Sequence, residues 1–452
     1  VVGDVVGVDR ARPLQSTMDR VQGLGPLVEM QVFGQKFVFV TGAALAAELC
    51  DETRFHKGLS PALEALREFA GDGLFTARDD EVSWKLAHEL LMPAFTKEAM
   101  QRYHPTMLET VRELFAMWDA QDGPVDVSVG MTKLTMETLS RAAFSHDFGS
   151  LTQQEVHPFI PAMIAALSAG QRIGSLNAMP GASVLARRVR ARNQHHQDYV
   201  DSMLDGIIAE RRASGENDDR DLLGIMLGSG LDDLNIRYQI LTFLVAGHET
   251  TSGALSFALY YLSRNPEVLA RAQAETDEVL GLDRDAEPTY EQVAKLRYVR
   301  RVLDEALRLW PTAPAFTRSP RETTVLSTGH TMRPEDWAIV VLPMVHRDPA
   351  VWGDDADEFD PDRSRSRAPH AYKPFGTGMR SCIGRQFALH EAVLVLARLL
   401  HRYDLTGDPD YALRISERLT LMPEGFELKL RHRTPGGTSW PADSSSGAPA
   451  RS

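Results

Sequence analysis

The decapeptide Phe375-Gly376-Thr377-Gly378-Met379-Arg380-Ser381-Cys382-Ile383-Gly384 holds the densest chemistry in the chain. Its glycines let the backbone turn tightly and approach a flat partner closely. Arg385–His390 and an apolar run to Leu400 follow, and they read as a helix starting just behind the cysteine. Helical N–H groups and the helix dipole favour a thiolate at such a position. Phe375 can shield the sulfur, and Arg380 is a cation suited to a carboxylate. A lone cysteine is ordinarily a small buried hydrophobe, but one delivered by such a loop to the mouth of a helix can serve as a ligand instead. A thiolate so held suits the axial position of heme iron, where it pushes electron density toward bound dioxygen.

A second constellation, Ala246-Gly247-His248-Glu249-Thr250-Thr251, lies in the middle of a helical stretch, Leu234–Ser263. At about 1.5 Å per residue that stretch spans roughly 45 Å, enough to cross a domain. Glycine and threonine weaken ideal helix geometry where two ionisable residues stand side by side. A purely structural helix gains nothing from that content. The helical phase sets His248 at a different angle from Glu249 and Thr250, so it reads as structural rather than as a metal ligand. Further along, Glu305 and Arg308 stand at i, i+3, a spacing that by itself fits a surface ion pair worth a few tenths of a kcal/mol. Their neighbours Val302, Leu303, Ala306, Leu307 and Leu309 leave room for burial.

The elements that must position these groups are mostly helices. Val28–Val32 and Lys36–Val40, separated by Gly34-Gln35, form a hairpin pattern. Helical segments follow from Thr41 through Cys50 and over Pro61–Phe69. Ala70-Gly71-Asp72-Gly73-Leu74-Phe75 is a loop ending in an apolar pair that a ligand or pocket must cover. Asp79 can cap the next helix, on which Trp84 and His88 share one face. Helices are expected over Lys97–Met117, Asp126–Phe144, His157–Leu167 and Arg187–Arg211, with no linker separating them. After Leu234–Ser263 come helices over Glu267–Leu280 and Val299–Leu309, then strand-like pieces at Thr323–Leu326 and Ala338–Leu342. Arg414–Met422 and Gly425–Arg431 suggest a terminal hairpin. Beyond His432 a Thr/Pro/Gly/Ser-rich tail suits a severed interdomain linker.

Composition narrows the class. A chain of 452 residues, 43% hydrophobic with 18 Phe and 6 Trp, can bury a large core. A formal net charge of -13 disfavours broad contact with nucleic acid or anionic lipid. Two cysteines, Cys50 and Cys382, exclude a disulfide scaffold and fit a reducing, cytoplasmic setting. Cys50 reads as a core residue. No signal peptide is apparent, and without an initial Met the natural beginning is expected to be missing or processed. Ile240–Leu262 is apolar, but His248 and Glu249 in its middle argue for a buried core helix over a membrane span.

The cysteine decapeptide matches the cysteine-ligand loop of the cytochrome P450 family, F-x-x-G-x-R-x-C-x-G, at every specified position, and the chain resembles that family from about Val28 to Arg431. The resemblance implies a mainly α fold with small β-sheets and a long central helix over a cysteine-ligated heme b. It implies a heme domain over residues 1–432 and a flexible tail, 433–452, as the start of a linker. Cys382 looks like the proximal thiolate and Ala246–Thr251 like the distal oxygen-binding segment. Glu305 and Arg308 look like the E-x-x-R pair, with Arg363 as third member. Trp84 and His88 resemble the helix holding a heme propionate, and Lys57 and Arg380 are expected to complete that group. Phe75, Leu63, Ala70, Phe243, Ala313 and Leu419 fall at positions that line the substrate pocket.

Within the family the likeness is greatest to self-sufficient bacterial fatty-acid hydroxylases, in which a heme domain is fused to a diflavin reductase. It runs through Cys382–Glu391, Ala70–Phe75, Ala246–Ser256 and Leu309–Phe316. Nothing after His432 could bind FMN, FAD or NADPH, so the implied reductase is a partner or a missing domain. The arginine and tyrosine that hold a substrate carboxylate in such enzymes match Gln35 and Phe39 here. Gln35 brings no charge and Phe39 neither charge nor hydrogen bond, while apolar surface still supplies most of the binding of a fatty chain. The reading is therefore a monooxygenase hydroxylating a long-chain fatty acid or similar hydrophobe, subterminally; the alternative is hydroxylation of a neutral or bulkier natural-product intermediate. The resemblance gives Thr250 the task of ordering a water near bound oxygen and Glu249 that of relaying protons. Peroxide-driven relatives commonly lack that pair, and a gas sensor has no use for it.

Overall fold

A helix forms wherever a 3.6-residue apolar pattern runs without interruption, and one of the two longest, buried nearly all round over its middle, becomes the axis of the molecule. The computed structural model describes residues 8–434 apart from residues 10, 33–34, 60, 154, 178, 180, 216–219 and 364–369. Its central helix runs Asp233–Arg264, opening with Asp232, whose side chain accepts from the Asn235 N–H at 2.8 Å. It closes at Asn265, one residue before a proline that begins the next helix, Pro266–Leu280. Around it pack the helices Val127–Phe144, Arg297–Leu309 and Arg385–Arg402. One contiguous apolar core joins all four, including Leu134, Leu255, Phe257, Val302, Leu394 and Leu396. Each such side chain taken fully out of water contributes about 1.5–3 kcal/mol.

Gly247 brings the central helix close to Val127–Phe144. A Cβ there would stand 2.6 Å from Leu139 Cδ2, so any larger residue would require that leucine to shift. One turn away in the contact, Thr135 Oγ1 donates to the His248 carbonyl at 2.9 Å. His248 is fully buried with Nδ1 on the Leu244 carbonyl. Burial holds its imidazole below its usual range.

A five-stranded sheet flanks the helices, with strands in the order Leu27–Val32, Gln35–Val40, Ala338–Val341, Ala315–Pro320 and Phe55–Lys57. The first two are the expected hairpin, paired antiparallel from Leu27↔Val40 to Val32↔Gln35. Ile240–Leu262 lies within the buried central helix, and among the described residues no helix is long and apolar enough to cross a membrane.

The C-terminal strands pair differently from the expected hairpin. Ile415–Glu417 turns back on Leu421–Pro423, and Glu427–His432 pairs instead with Tyr403–Gly407 and Val125–Asp126. The reversal comes earlier, over Arg418-Leu419-Thr420, where Arg418 N–H donates to the Thr420 carbonyl at 3.0 Å. Gly425, at φ +62°, then sends the chain elsewhere. The helix Val82–Leu91 also begins differently. Its first flanking residue is Glu81, without a side-chain cap, because Asp79 is engaged with Lys57 and Arg380. At the end of the described residues Arg433 is held, with Nη2 2.8 Å from Asp277 Oδ2; the expected tail from residue 435 onward lies outside them.

Candidate functional site

The cysteine loop is shaped by two glycines in the left-handed region, Gly376 at φ +67° and Gly378 at φ +68°. A Cβ on Gly378 would fall 2.0 Å from the Glu52 carboxylate, which instead accepts from the Met379 N–H at 2.7 Å. Cys382 N–H donates to the Phe375 carbonyl at 2.8 Å, which closes the loop directly before the helix Arg385–Arg402. Phe375 is half-buried beneath Arg385, whose guanidinium lies 5.5 Å from the ring centre. The Cys382 side chain has open space beside it although protein crowds it deeply, and burial pushes its thiol up. The Gly384 N–H and the Arg385 charge pull the other way without prevailing. The helix mouth therefore favours the thiolate as expected, but desolvation is larger; a bound metal cation would supply the balance.

Behind the loop stands a strut absent from the sequence reading. His346 is fully buried, and desolvation drives its imidazole down to about 3, so it is neutral. Its Nε2 accepts from the Lys373 N–H at 3.0 Å, so its Nδ1–H donates to the Arg308 carbonyl at 3.1 Å. Lys373 in turn accepts from the Gly376 N–H at 3.0 Å. Arg308 itself is buried, with Nη2 2.8 Å and Nε 2.9 Å from the two Glu305 oxygens. It also donates to the carbonyls of His346, Ala356 and Glu358. Arg363 Nε lies 3.4 Å from Glu305 Oε1, so the three form one buried network rather than a surface pair.

A basin of cations lies on another side. Arg380 stacks on Trp84 at 4.7 Å, and Trp84 stacks on His88 at 5.1 Å. Arg380 Nη2 donates to the carbonyls of Leu74 and Ala77 at 3.2 and 2.8 Å. Lys57 Nζ donates to the Phe75 carbonyl and sits 5.0 Å from its ring. Arg318, not foreseen from the sequence, is buried and is the direct cross-strand partner of Lys57. Like charges set opposite one another destabilise a sheet. Burial, then the Arg380 charge, lower Lys57 to about 7, and burial first lowers Arg380 to about 10. Asp79 pairs with Arg380 at 3.3 Å, yet Asp79 Oδ1 and Arg380 Nη1 complete no hydrogen bond. Three cations against one carboxylate is a basin that fits a further anion.

The central helix supplies the opposite chemistry. Ala246 is exposed amid buried neighbours, and Thr250, one turn on, donates from Oγ1 to its carbonyl at 2.6 Å. Glu249 is buried, and its Oε2 accepts from Thr420 Oγ1 at 3.0 Å. Three distant segments lean on this helix. Leu74 N–H donates to Gln239 Oε1 at 3.0 Å, and Gly73 is so close that a Cβ would lie 2.3 Å from Thr242 Oγ1. Gly253 admits Thr312 and the Leu421 carbonyl, which a Cβ would meet at 2.9 and 2.6 Å. Phe75 and Ala313 therefore stand exposed beside the helix, with half-buried Leu419 next to Thr420. Phe243 is buried against Phe95 at 5.8 Å, Ala70 is buried, and Leu63 is half-buried on the core. Phe39 packs with Val21, Met30 and Val341 under the sheet. Gln35 opens its strand, and its side chain lies outside the described residues.

A sequence model of the family described as Cytochrome P450 matches residues 1–430. The chain belongs to the cytochrome P450 family. Heme is the cofactor expected of a P450, and the residues fit it: one open thiol at a helix mouth for the iron, and a cation-rich basin for two carboxylates. Cys382 would hold the iron, and Lys57, Trp84, Arg380 and Arg318 the propionates, with His88 stacked behind Trp84. Among curated relatives, a protein named bifunctional cytochrome P450/NADPH--P450 reductase from Bacillus cereus is 43% identical over 446 residues, 96% of this chain and 41% of its own length. One of the same type from Bacillus subtilis is 42% identical over 445 residues, with the same coverage of 96% and 41%. A self-sufficient cytochrome P450 monooxygenase from Aspergillus terreus is 39% identical over 469 residues, 99% of this chain and 44% of its own length. This P450 chain thus spans less than half the length of these relatives.

Proposed function

We propose that the chain is the heme domain of a monooxygenase, taking electrons from an NADPH-dependent diflavin reductase, fused or separate, with its FMN and FAD. Its substrate is a long-chain fatty acid or similar hydrophobe, hydroxylated subterminally. The observation that carries the reading is the opening at Ala246 and half-buried Thr250 in the largely buried middle of the helix, together with the open thiol of Cys382. The names of the relatives, which pair a P450 with a reductase or call it self-sufficient, support the electron source.

Bound heme would supply dioxygen activation and oxygen insertion into a C–H bond. The chain's own residues bind, orient and deliver protons. The Thr250 hydroxyl, now donating to the Ala246 carbonyl, can rotate to hold a water on the open face. Glu249 keeps one carboxylate oxygen, Oε2, fixed by Thr420, leaving Oε1 to pass a proton. The Phe75 ring, pinned by Lys57 on its own carbonyl, limits how deeply a chain advances.

The head group favours the second reading, a neutral or bulkier substrate, more than composition alone does. Lys36, the cation adjacent to Gln35 in the strand, is tied to Glu29 at 2.6 Å and lies 3.2 Å from His330. Phe39 is buried. A charge-assisted hydrogen bond is worth about 1.5–3 kcal/mol against about 0.5–1.5 for a neutral one. Spectral titration of a fatty acid and its amide, followed by loss of the low-spin Soret band, is expected to give similar affinities. A preference for the acid above about tenfold, which is 1.4 kcal/mol, would instead reveal a cation at the mouth. If neither compound shifts the band, the fatty-chain reading fails.

A further inference from the structure

The face of the central helix that carries Ala246 and Thr250 continues toward its N-terminus. Counted back from Ala246 by helical steps of four, three and four residues, it carries Thr242, Gln239 and Asn235. Gln239 is fully buried, between buried Ile236 and Ile240. A buried amide is costly unless its polar atoms are paired, and these are. Oε1 accepts from the Leu74 N–H at 3.0 Å, and Nε2 donates to Asn235 Oδ1 at 3.2 Å. The backbone donor fixes which way the amide points. Asn235 Nδ2 in turn donates to Asp72 Oδ1 at 3.0 Å. The helix thus grips the loop on either side of Gly73.

Among the described residues, no other side chain of this helix holds that loop by a hydrogen bond. Thr242 Oγ1 is buried beside Gly73 and completes none. Tyr238 meets the loop by packing, with its ring 2.1 Å from where a Gly71 Cβ would stand. Gly71 sits at φ +53° and Gly73 bears no Cβ, so the backbone on both sides of Asp72 is permissive and its position must be imposed from outside. From the other side Arg380 holds the Leu74 carbonyl and Lys57 the Phe75 carbonyl. Leu74 is therefore clamped between the central helix and the cation basin, and Phe75, its ring 40% exposed, hangs from the next Cα.

We propose that Gln239 is a positioning residue: by holding the Leu74 N–H it fixes where the Phe75 ring stands, and so decides which ligands fit beside it. The inference rests on the reading of the site as a heme pocket lined by Phe75. A bulky ligand that displaces the ring must first free the loop, so its affinity is lowered by the scarcity of the freed state. A ligand small enough to leave the ring in place is unaffected. Releasing the Leu74 N–H removes one neutral hydrogen bond, which should make the freed loop up to about tenfold more populated. A purely structural role for the amide would cost stability and leave this discrimination untouched.

The test compares Gln239→Met, which keeps the length of the side chain and removes both hydrogen bonds, with Gln239→Glu, which keeps an oxygen within reach of the Leu74 N–H. In the heme-loaded chain, hydrogen exchange of the Leu74 amide should be about tenfold faster in the Met variant and little changed in the Glu variant. Titrations of the Soret band give the affinity for 4-phenylimidazole relative to imidazole, both of which ligate heme iron through nitrogen. That ratio should rise up to about tenfold in Gln239→Met and stay near wild type in Gln239→Glu, because only the phenyl group needs the ring displaced. With added reductase, fatty-acid hydroxylation by the Met variant should spread over more carbons. Thr110→Val, which removes a buried bond to Thr138 at 2.8 Å between two other helices, should lower stability without moving the ratio. If Gln239→Met does not retain heme, Asn235→Ala, which releases Asp72 and one side of the amide, should show the same rise to a smaller extent. An unchanged ratio alongside a faster Leu74 amide overturns the proposal, as does a Leu74 amide that stays protected. So does a ratio that moves equally in Thr110→Val. Wild type giving no Soret shift with imidazole would remove the heme reading and this role with it. A ratio that behaves as expected without any fatty-acid turnover leaves the positioning role standing and removes only the substrate.

Discussion

Thr420→Val tests how the proton-relay carboxylate is held. The substitution keeps shape and removes one hydroxyl, the donor 3.0 Å from Glu249 Oε2. Both residues are buried, at 6% and 3% exposure, so water cannot freely replace the lost donor. Hydrogen bonds to charged groups are worth about 1.5–3 kcal/mol, and an abandoned buried acceptor costs its desolvation as well. Thr-to-Val is not a neutral exchange where the hydroxyl is used. The expected loss is thus about 2 kcal/mol in denaturant unfolding of the heme-loaded chain, followed by the Soret band, with little change in slope. Thr420→Ser restores the donor and should recover most of that loss. In turnover with added reductase, Thr420→Val should release more peroxide per NADPH consumed, while Thr420→Ser stays near wild type. A Val variant within about 0.5 kcal/mol of wild type, the range of uninvolved surface changes, refutes the reasoning. So does a Ser variant no better than Val.

Three further outcomes are expected. Cys382→His should abolish the strongly red-shifted Soret band of the reduced CO complex, whereas Cys50→Ser should leave it intact; a normal spectrum from the first variant removes the ligand assignment. Thr250→Ala should retain heme and substrate binding but divert oxygen to peroxide, and unchanged coupling would show that the hydroxyl is dispensable. Glu391 is fully buried, and desolvation raises its carboxyl from 4.5 to about 8. Between those values the unfolded chain has lost the proton that the folded chain keeps, so stability falls as pH rises by up to about 1.4 kcal/mol per unit, and levels off above about 8. Glu391→Gln should flatten that slope in unfolding curves taken across the window; a slope unchanged by the substitution would place the titration elsewhere.

The residues with the strongest local signatures were legible in the sequence. The central helix announced itself by length and by the oddity of its middle, and the cysteine loop by glycines at positions that prove to need φ near +67° and +68°. The first hairpin was readable from β-branched runs on both sides of a turn. What escaped were partnerships made across the chain. Arg318 looks unremarkable within Ala315–Pro320 until strand pairing sets it opposite Lys57. Thr420 gains meaning only because the turn of its hairpin reaches Glu249, 171 residues away. The same turn explains the misplaced C-terminal hairpin, since two short reversals seven residues apart, at Arg418 and Gly425, look alike in sequence. Asp79 resembled a helix cap because local spacing allows one, but the Lys57 backbone N–H and the Arg380 guanidinium, both from other segments, claimed it first.

The imidazole of His346 acts as a spacer of fixed length. It is a flat, inflexible ring touching the backbone of one helix through one nitrogen and the approach to the cysteine loop through the other. A longer polar side chain could make similar bonds, but rotatable links would let the separation drift. With the ring in place, the height of the sulfur is referenced to the helix Arg297–Leu309 instead of to the loop's own glycines. The loop can therefore be glycine-rich, and so conformationally permissive, without being imprecise, because its tolerance is set by a part some 75 residues earlier in the chain.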